Sequence, residues 1–189
     1  MMLGWICARI VPLGFLLAAG CSAIVEAEFP DIEVTRPGIQ VPSAPSSSQS
    51  SVTFSFSFDS TKLGANTNLE AQSRIVAVKL HQLQLKATRG ISNFPPLQTL
   101  HILAYVPLKS SSTESMRQVE IADYVGSGAA KVGSTFTVPL HEPVDLLPLV
   151  RPSSLESRKI VVVVNLGGQM PSESWEVDVS MSISVKIQE

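Results

Sequence analysis

The chain has three imidazoles, His81, His101 and His141. The pattern around His81 and His101 places both mid-strand, and His141 opens a loop beside Glu142. A zinc-type site needs three or four converging ligands, and the spacing of these three does not specify one. Serine is plentiful, and Asp123, Asp145 and Asp178 offer acids for a Ser-His-Asp hydrolase. The nucleophile elbow is missing, since Val125-Gly126-Ser127-Gly128-Ala129 has the wrong spacing for Gly-x-Ser-x-Gly. Glu173 and Glu176 flank Trp175 in the manner of a glycosidase pair, but residues three apart on a strand point to opposite faces. Trp175, Tyr105, Tyr124 and Phe94 are the aromatics for a sugar platform, yet Trp175 is in phase with the buried face of its strand. No glycine-rich phosphate loop opens a helix. These residues assign no catalytic group, no metal and no cofactor, so a non-enzymatic protein is expected.

The cysteines are more informative. There are two, Cys7 and Cys21, and both lie near the start. Residues 1–9 carry one charge, Arg9, and Ile10–Ala19 is apolar throughout. A short positive region, an apolar run of about 7–15 residues and small residues at its end make a secretory signal; a spanning helix needs about 20 apolar residues. The closing run Leu17-Ala18-Ala19-Gly20-Cys21 resembles the lipobox of bacterial lipoproteins. Many lipoboxes have Leu three residues before Cys, where this chain has Ala18.

The resemblance covers roughly the first 22 residues. It implies that Leu17, Ala18, Ala19 and Gly20 are read by the signal peptidase. It also implies that Cys21 becomes the first mature residue and carries the acyl chains. Two or three chains, at about 0.8 kcal/mol per buried methylene, hold a protein at a bilayer where one does not. In enterobacterial relatives an Asp after the cysteine favours the inner membrane, so Ser22 implies the outer one. The competing reading is an ordinary secretory signal cut near Ala23 or Ala27.

The totals limit the rest. Removing residues 1–20 takes Arg9 away and leaves 13 basic residues against 16 acidic ones, a net charge of −3. No basic patch points to nucleic acid. With Cys7 removed and Cys21 acylated, the domain has no thiol and no disulfide. Residues 21–51 hold Pro30, Pro37, Pro42 and Pro45 and the run Ser46–Ser51 around Gln49. They read as a lipidated flexible tether with a root-mean-square span of about 30 Å. Phe29–Thr35 alternates weakly enough for a short edge strand or docking segment.

From residue 52 to 189 the pattern is that of one all-β domain. Val52-Thr53-Phe54-Ser55-Phe56-Ser57-Phe58 alternates without a fault, as a half-buried strand does. Asp59–Arg74 is polar and reads as a loop. Ile75–Thr88 is a strand whose apolar phase shifts: Val76, Val78 and Leu80, then Leu83, Leu85 and Ala87. A β-bulge at His81-Gln82 turns both halves to one core; a strand passing from one sheet to the other is the alternative. Strands follow over Thr99–Val106, Met116–Val125 and Ser134–Leu140, with Asp123 expected to end the pairing of the second.

His141–Pro152 is apolar and proline-rich. It reads as a cap over an open end of the core, limited by Pro148 to about one helical turn. Lys159–Leu166, with Val161–Val164, implies a strand covered on both faces or central in its sheet. Trp175–Ile187 is apolar at every odd position.

That is about seven strands with turn signals between them. They predict an antiparallel β-sandwich, immunoglobulin-like or jelly-roll. A membrane barrel needs at least eight such strands and aromatic girdles, and aromatics here are 6%. The expected function is that of a cell-envelope lipoprotein with a structural or interaction domain. Its partners would be the membrane and an envelope protein. A carbohydrate- or lipid-binding module on the same fold is the alternative.

Overall fold

Alternating side chains make strands of most of the described residues. The elements are β1 (Glu26–Val41), β2 (Ser50–Asp59), β3 (Ile75–Arg89), β4 (Leu97–Tyr105), β5 (Gln118–Val125), β6 (Thr135–Thr137) and β7 (Val144–Asp145). The helical turn α1 (Leu147–Val150), β8 (Lys159–Gly168) and β9 (Trp175–Gln188) complete them. They are taken from a computed structural model, which describes residues 26–44, 50–60, 75–107, 117–126, 133–150 and 159–188. The expected loop over Asp59–Arg74 lies, from residue 61 on, outside the described residues.

The strands form two antiparallel sheets. One has the order β1-β9-β3-β6, with β7 pairing a second stretch of the outer edge of β3. The other has the order β2-β8-β4-β5. Between them lies one core. The odd residues of β9, from Trp175 to Ile187, face inward from the first sheet and are all buried. Val52, Phe54, Phe56 and Phe58 of β2, Ile160, Val162, Val164 and Leu166 of β8, and Leu100, Ile102 and Ala104 of β4 close it from the second. Full burial of a side chain of the Val, Leu or Phe class contributes about 1.5–3 kcal/mol.

The fold is therefore the expected antiparallel β-sandwich. Position by position, the two orders match β1 with β2, β9 with β8, β3 with β4 and β6 with β5. Chain neighbours thus occupy corresponding places in opposite sheets. Of the two architectures expected, this is the jelly roll.

The strand over Ile75–Arg89 bears out the predicted bulge. Leu80 pairs with Ile183 and Gln82 with Ser182, so His81 is the extra residue. Val78 and Leu80 before it, and Leu83, Leu85 and Ala87 after it, are all buried. A second shift between Ile75 and Ala77 buries Ile75 and leaves Val76 half-exposed.

Three expectations are corrected. The tether over 21–51 is, from Glu26 to Val41, a strand along the full length of β9. Its prolines do not make it a linker. Pro30 and Pro37 fall at its two register shifts, between Phe29 and Ile32 and between Arg36 and Ile39. An edge strand tolerates proline at such places, because no ladder bond needs the missing N–H. Gly38 takes a positive φ of 65° at the second bulge, and its N–H donates to Asp178 Oδ1 at 2.8 Å.

Asp123, secondly, does not end the pairing of β5. A bulge at Ile121-Ala122 buries both residues and resets the phase. Asp123 then points outward opposite His101, and pairing runs on to Val125. Of the two readings of the valines of β8, the central one holds: the strand lies inside its sheet, with Val161 and Val163 half-exposed on its outer side. Finally, β1 and β7 add to the seven strands expected.

The expected cap over 141–152, described as far as Val150, folds inward. Leu146, Leu149 and Val150 are buried, while Pro143 and Pro148 stay exposed. Its one helical turn starts at Leu147 and carries Pro148 in the first turn, where a missing N–H costs little. Asp145 Oδ1 accepts from Leu147 N–H at 3.1 Å and sets the turn. Leu146 N–H donates to the Val78 carbonyl at 2.9 Å and ties the cap to β3.

Candidate functional site

The residues expected to carry the anchor, Leu17, Ala18, Ala19, Gly20, Cys21 and Ser22, lie outside the described residues. What the structure adds is the position of their neighbour. β1 begins at Glu26, five residues after Cys21, and Glu26 pairs with Gln188 at the end of β9.

The three histidines stand on different surfaces. His81, pushed out by its bulge, shares a hydrogen bond between Nε2 and Ser184 Oγ at 2.7 Å on the outer face of the β9 sheet. Ser184 is 8% exposed, and this contact covers it. Serine and histidine at this distance are the residue types of an activated nucleophile. The serine is buried beneath the ring, and among the described residues no carboxylate hydrogen-bonds the imidazole.

Two of the three acids considered for a triad have other work. Asp178 accepts from Gly38, and Asp145 pairs with Lys79 Nζ at 3.7 Å. Glu176 is equally engaged. Its Oε1 accepts from Gln40 Nε2 at 2.6 Å and from Arg89 Nη1 at 3.4 Å. Glu173 is exposed in the preceding turn.

His101 lies on the outer face of the β8 sheet with Nε2 3.4 Å from Glu120 Oε2. His141 lines an open depression of about 450 Å³ beside β5, where Glu120, Asp123 and Glu142 supply three carboxylates over Pro139, Leu140 and Pro143. The bulge at Ile121-Ala122 is what brings Glu120 and Asp123 to one rim. Among the described residues, no group of three or more His, Cys, Asp or Glu side chains could hold a metal ion.

The aromatic platform does not assemble on the surface. Trp175 is 2% exposed and Phe94 3% exposed. Their rings meet edge-on at 5.3 Å, and Phe136 stacks obliquely on Phe94 at 6.1 Å. Gly90 makes the packing possible. Its φ is +84°, and a Cβ there would lie 2.9 Å from Trp175 Cβ. Tyr124 leans on Phe136 from the core side, while Tyr105 is on the opposite, outer face of the β8 sheet.

That outer face is the surface the sequence did not reveal. The register sets Leu103 beside Val163 and Tyr105 beside Val161, an apolar stripe of half-exposed side chains. On one flank β2 presents Ser51, Thr53, Ser55 and Ser57. On the other, β5 presents Gln118, Glu120 and Asp123. Thr53 Oγ1 donates to Asn165 Oδ1 at 2.6 Å across β2 and β8. Four valines in a row left two readings open, a strand covered on both faces or one central in its sheet; they could not say which.

No protein-family model matches the chain, and no curated protein matches it. Among solved structures, the chain is similar to one in the cryo-EM structure of Mud crab tombus-like virus. The two share 9% identity over 100% of this chain and 94% of that one, with a TM-score of 0.34. A chain of Desmodium yellow mottle tymovirus shares 11% identity over 85% of this chain and 89% of that one, with a TM-score of 0.23. At these TM-scores neither likeness carries an argument about function.

Proposed function

We propose that the protein is a bacterial envelope lipoprotein, held by acyl chains on Cys21, whose jelly roll serves as a non-enzymatic structural and interaction module. The observation behind this reading is the run Leu17-Ala18-Ala19-Gly20-Cys21, which ends just short of the sandwich. Ser22 supports export to the outer membrane on the pattern of enterobacterial lipoproteins. With β1 starting at Glu26, only residues 22–25 separate anchor from domain. At roughly 3.5 Å per residue they reach about 14 Å when extended. The domain then rests against the bilayer instead of riding on a long tether. A sheet face close to a membrane suits contact with lipid-embedded or envelope partners.

Metabolic labelling with a palmitate analogue, followed by membrane fractionation, tests the anchor. The wild-type chain is expected to carry label and sediment with membranes. Cys21→Ser is expected to lose the label and move to the soluble fraction. Unlabelled protein, or unchanged retention of the variant, would overturn the reading. The carbohydrate- or lipid-binding alternative has less behind it, because Trp175 and Phe94 are spent on the core.

A further inference from the structure

A two-sheet sandwich has four outer edges, and each offers unpaired backbone groups to a stray strand. Three of the four are blunted here. The first edge, β1, has two bulges, Pro30 and Pro37, and the exposed acids Glu28 and Glu33. On the opposite side of that sheet, β6 and β7 are three and two residues long. In the second sheet, β5 has a bulge at Ile121-Ala122 and exposes Glu120 and Asp123.

The fourth edge, β2, is different. It pairs with β8 over ten consecutive residues without a register shift. From Ser51 to Phe58 it contains no charge, no proline and no glycine. Among the described residues no strand pairs with its second side.

The sequence of this edge is complementary to itself. Run antiparallel about Ser55, Val52 meets Phe58, Phe54 meets Phe56, Thr53 meets Ser57 and Ser55 meets Ser55. Every apolar residue lies opposite an apolar one, and every hydroxyl opposite a hydroxyl. Because side chains alternate with a period of two, this register keeps the inner faces of both copies on one side. Directly opposed hydroxyl and aromatic pairs each favour such a pairing. The single acid, Asp59, falls at the end of the ladder opposite Ser51.

We infer that β2 is a dimerisation edge: two copies of this chain pair β2 with β2, antiparallel about Ser55, and join their β8 sheets into one sheet of eight strands. The contact is isologous, so it closes at two copies. The blunted edges stop further growth. The dimer is compatible with a lipid at Cys21. A two-fold axis along the membrane normal places both anchors at one height. The inference does not depend on that anchor, and the test separates the two.

The test is sedimentation velocity on the full chain in detergent and on its Cys21→Ser form without detergent. Both are expected to sediment as dimers at micromolar concentration. Ser55→Lys places two ammonium groups against each other at the two-fold. In the single copy the added side chain is exposed and lies along Val163. The variant is expected to weaken self-association at least tenfold with an unchanged circular dichroism spectrum. Thr35→Lys, an exposed position on the β1 edge, is expected to leave the dimer intact.

Should the lysine variant fail to fold, Ser55→Cys in a Cys7→Ser, Cys21→Ser chain serves instead. It is expected to give a cross-linked dimer with a short thiol reagent, and its parent is not. A monomeric parent chain would overturn the inference, as it would if a segment of the chain itself covered β2. So would a dimer indifferent to Ser55→Lys, or one dissociated equally by Thr35→Lys.

Discussion

Deleting His81 should be far more damaging than replacing it. In β3 this residue is the extra one in a bulge, with Leu80 opposite Ile183 and Gln82 opposite Ser182. Without it the strand must slip by one residue on one side of the site. Either Leu83, Leu85 and Ala87 or Ile75, Val78 and Leu80 then turn to the solvent. Leu80, Leu83 and Leu85 are fully buried. Exposing two such leucines costs about 3–6 kcal/mol. A whole domain has only about 5–15 kcal/mol of stability, so the deletion should leave the fold marginal.

His81→Ala keeps the bulge and loses only the bond to Ser184 Oγ, at about 0.5–1.5 kcal/mol. Urea unfolding, followed through the indole of Trp175 buried against Phe94, measures both variants. The midpoint is expected to move little for the substitution and several times further for the deletion. If the two variants unfold together, the bulge does not set the phase of β3.

Three other outcomes follow from local geometry. Gly90→Ala forces a side chain into a φ of +84° and against Trp175 Cβ, and should cost about 1–3 kcal/mol by thermal or urea unfolding. Ile102→Ala empties a fully buried site in the middle of β4 and should cost about 2–5 kcal/mol; a loss well under that range would mean the core relaxes around the cavity. Asp178→Ala removes the acceptor for Gly38 N–H at the second bulge of β1. Its global cost should be about 1 kcal/mol, while amide exchange rises in β1 and stays unchanged in β8.

Alternation by itself determined most of this molecule. A strand buries every second residue whatever it pairs with, so the inward faces of β2, β4 and β9 were legible before any partner was known. The phase shift in β3 was legible for the same reason, since two apolar half-faces out of step need one extra residue to share a core. Composition misled over β1. Proline counts as a linker signal when averaged along the chain, and only the pairing with β9 shows that Pro30 and Pro37 sit at bulges.

Tertiary structure alone decided the rest. The bulge in β5 depends on Ile121 and Ala122 both being buried beside β4. The half-open outer face of Val161 and Val163 depends on nothing packing over the β8 sheet among the described residues. The jelly-roll order, and with it the place of β2 at an edge of its sheet, is a matter of which strands become neighbours. That is settled by contacts far apart in the chain, on which the local pattern of residues is silent.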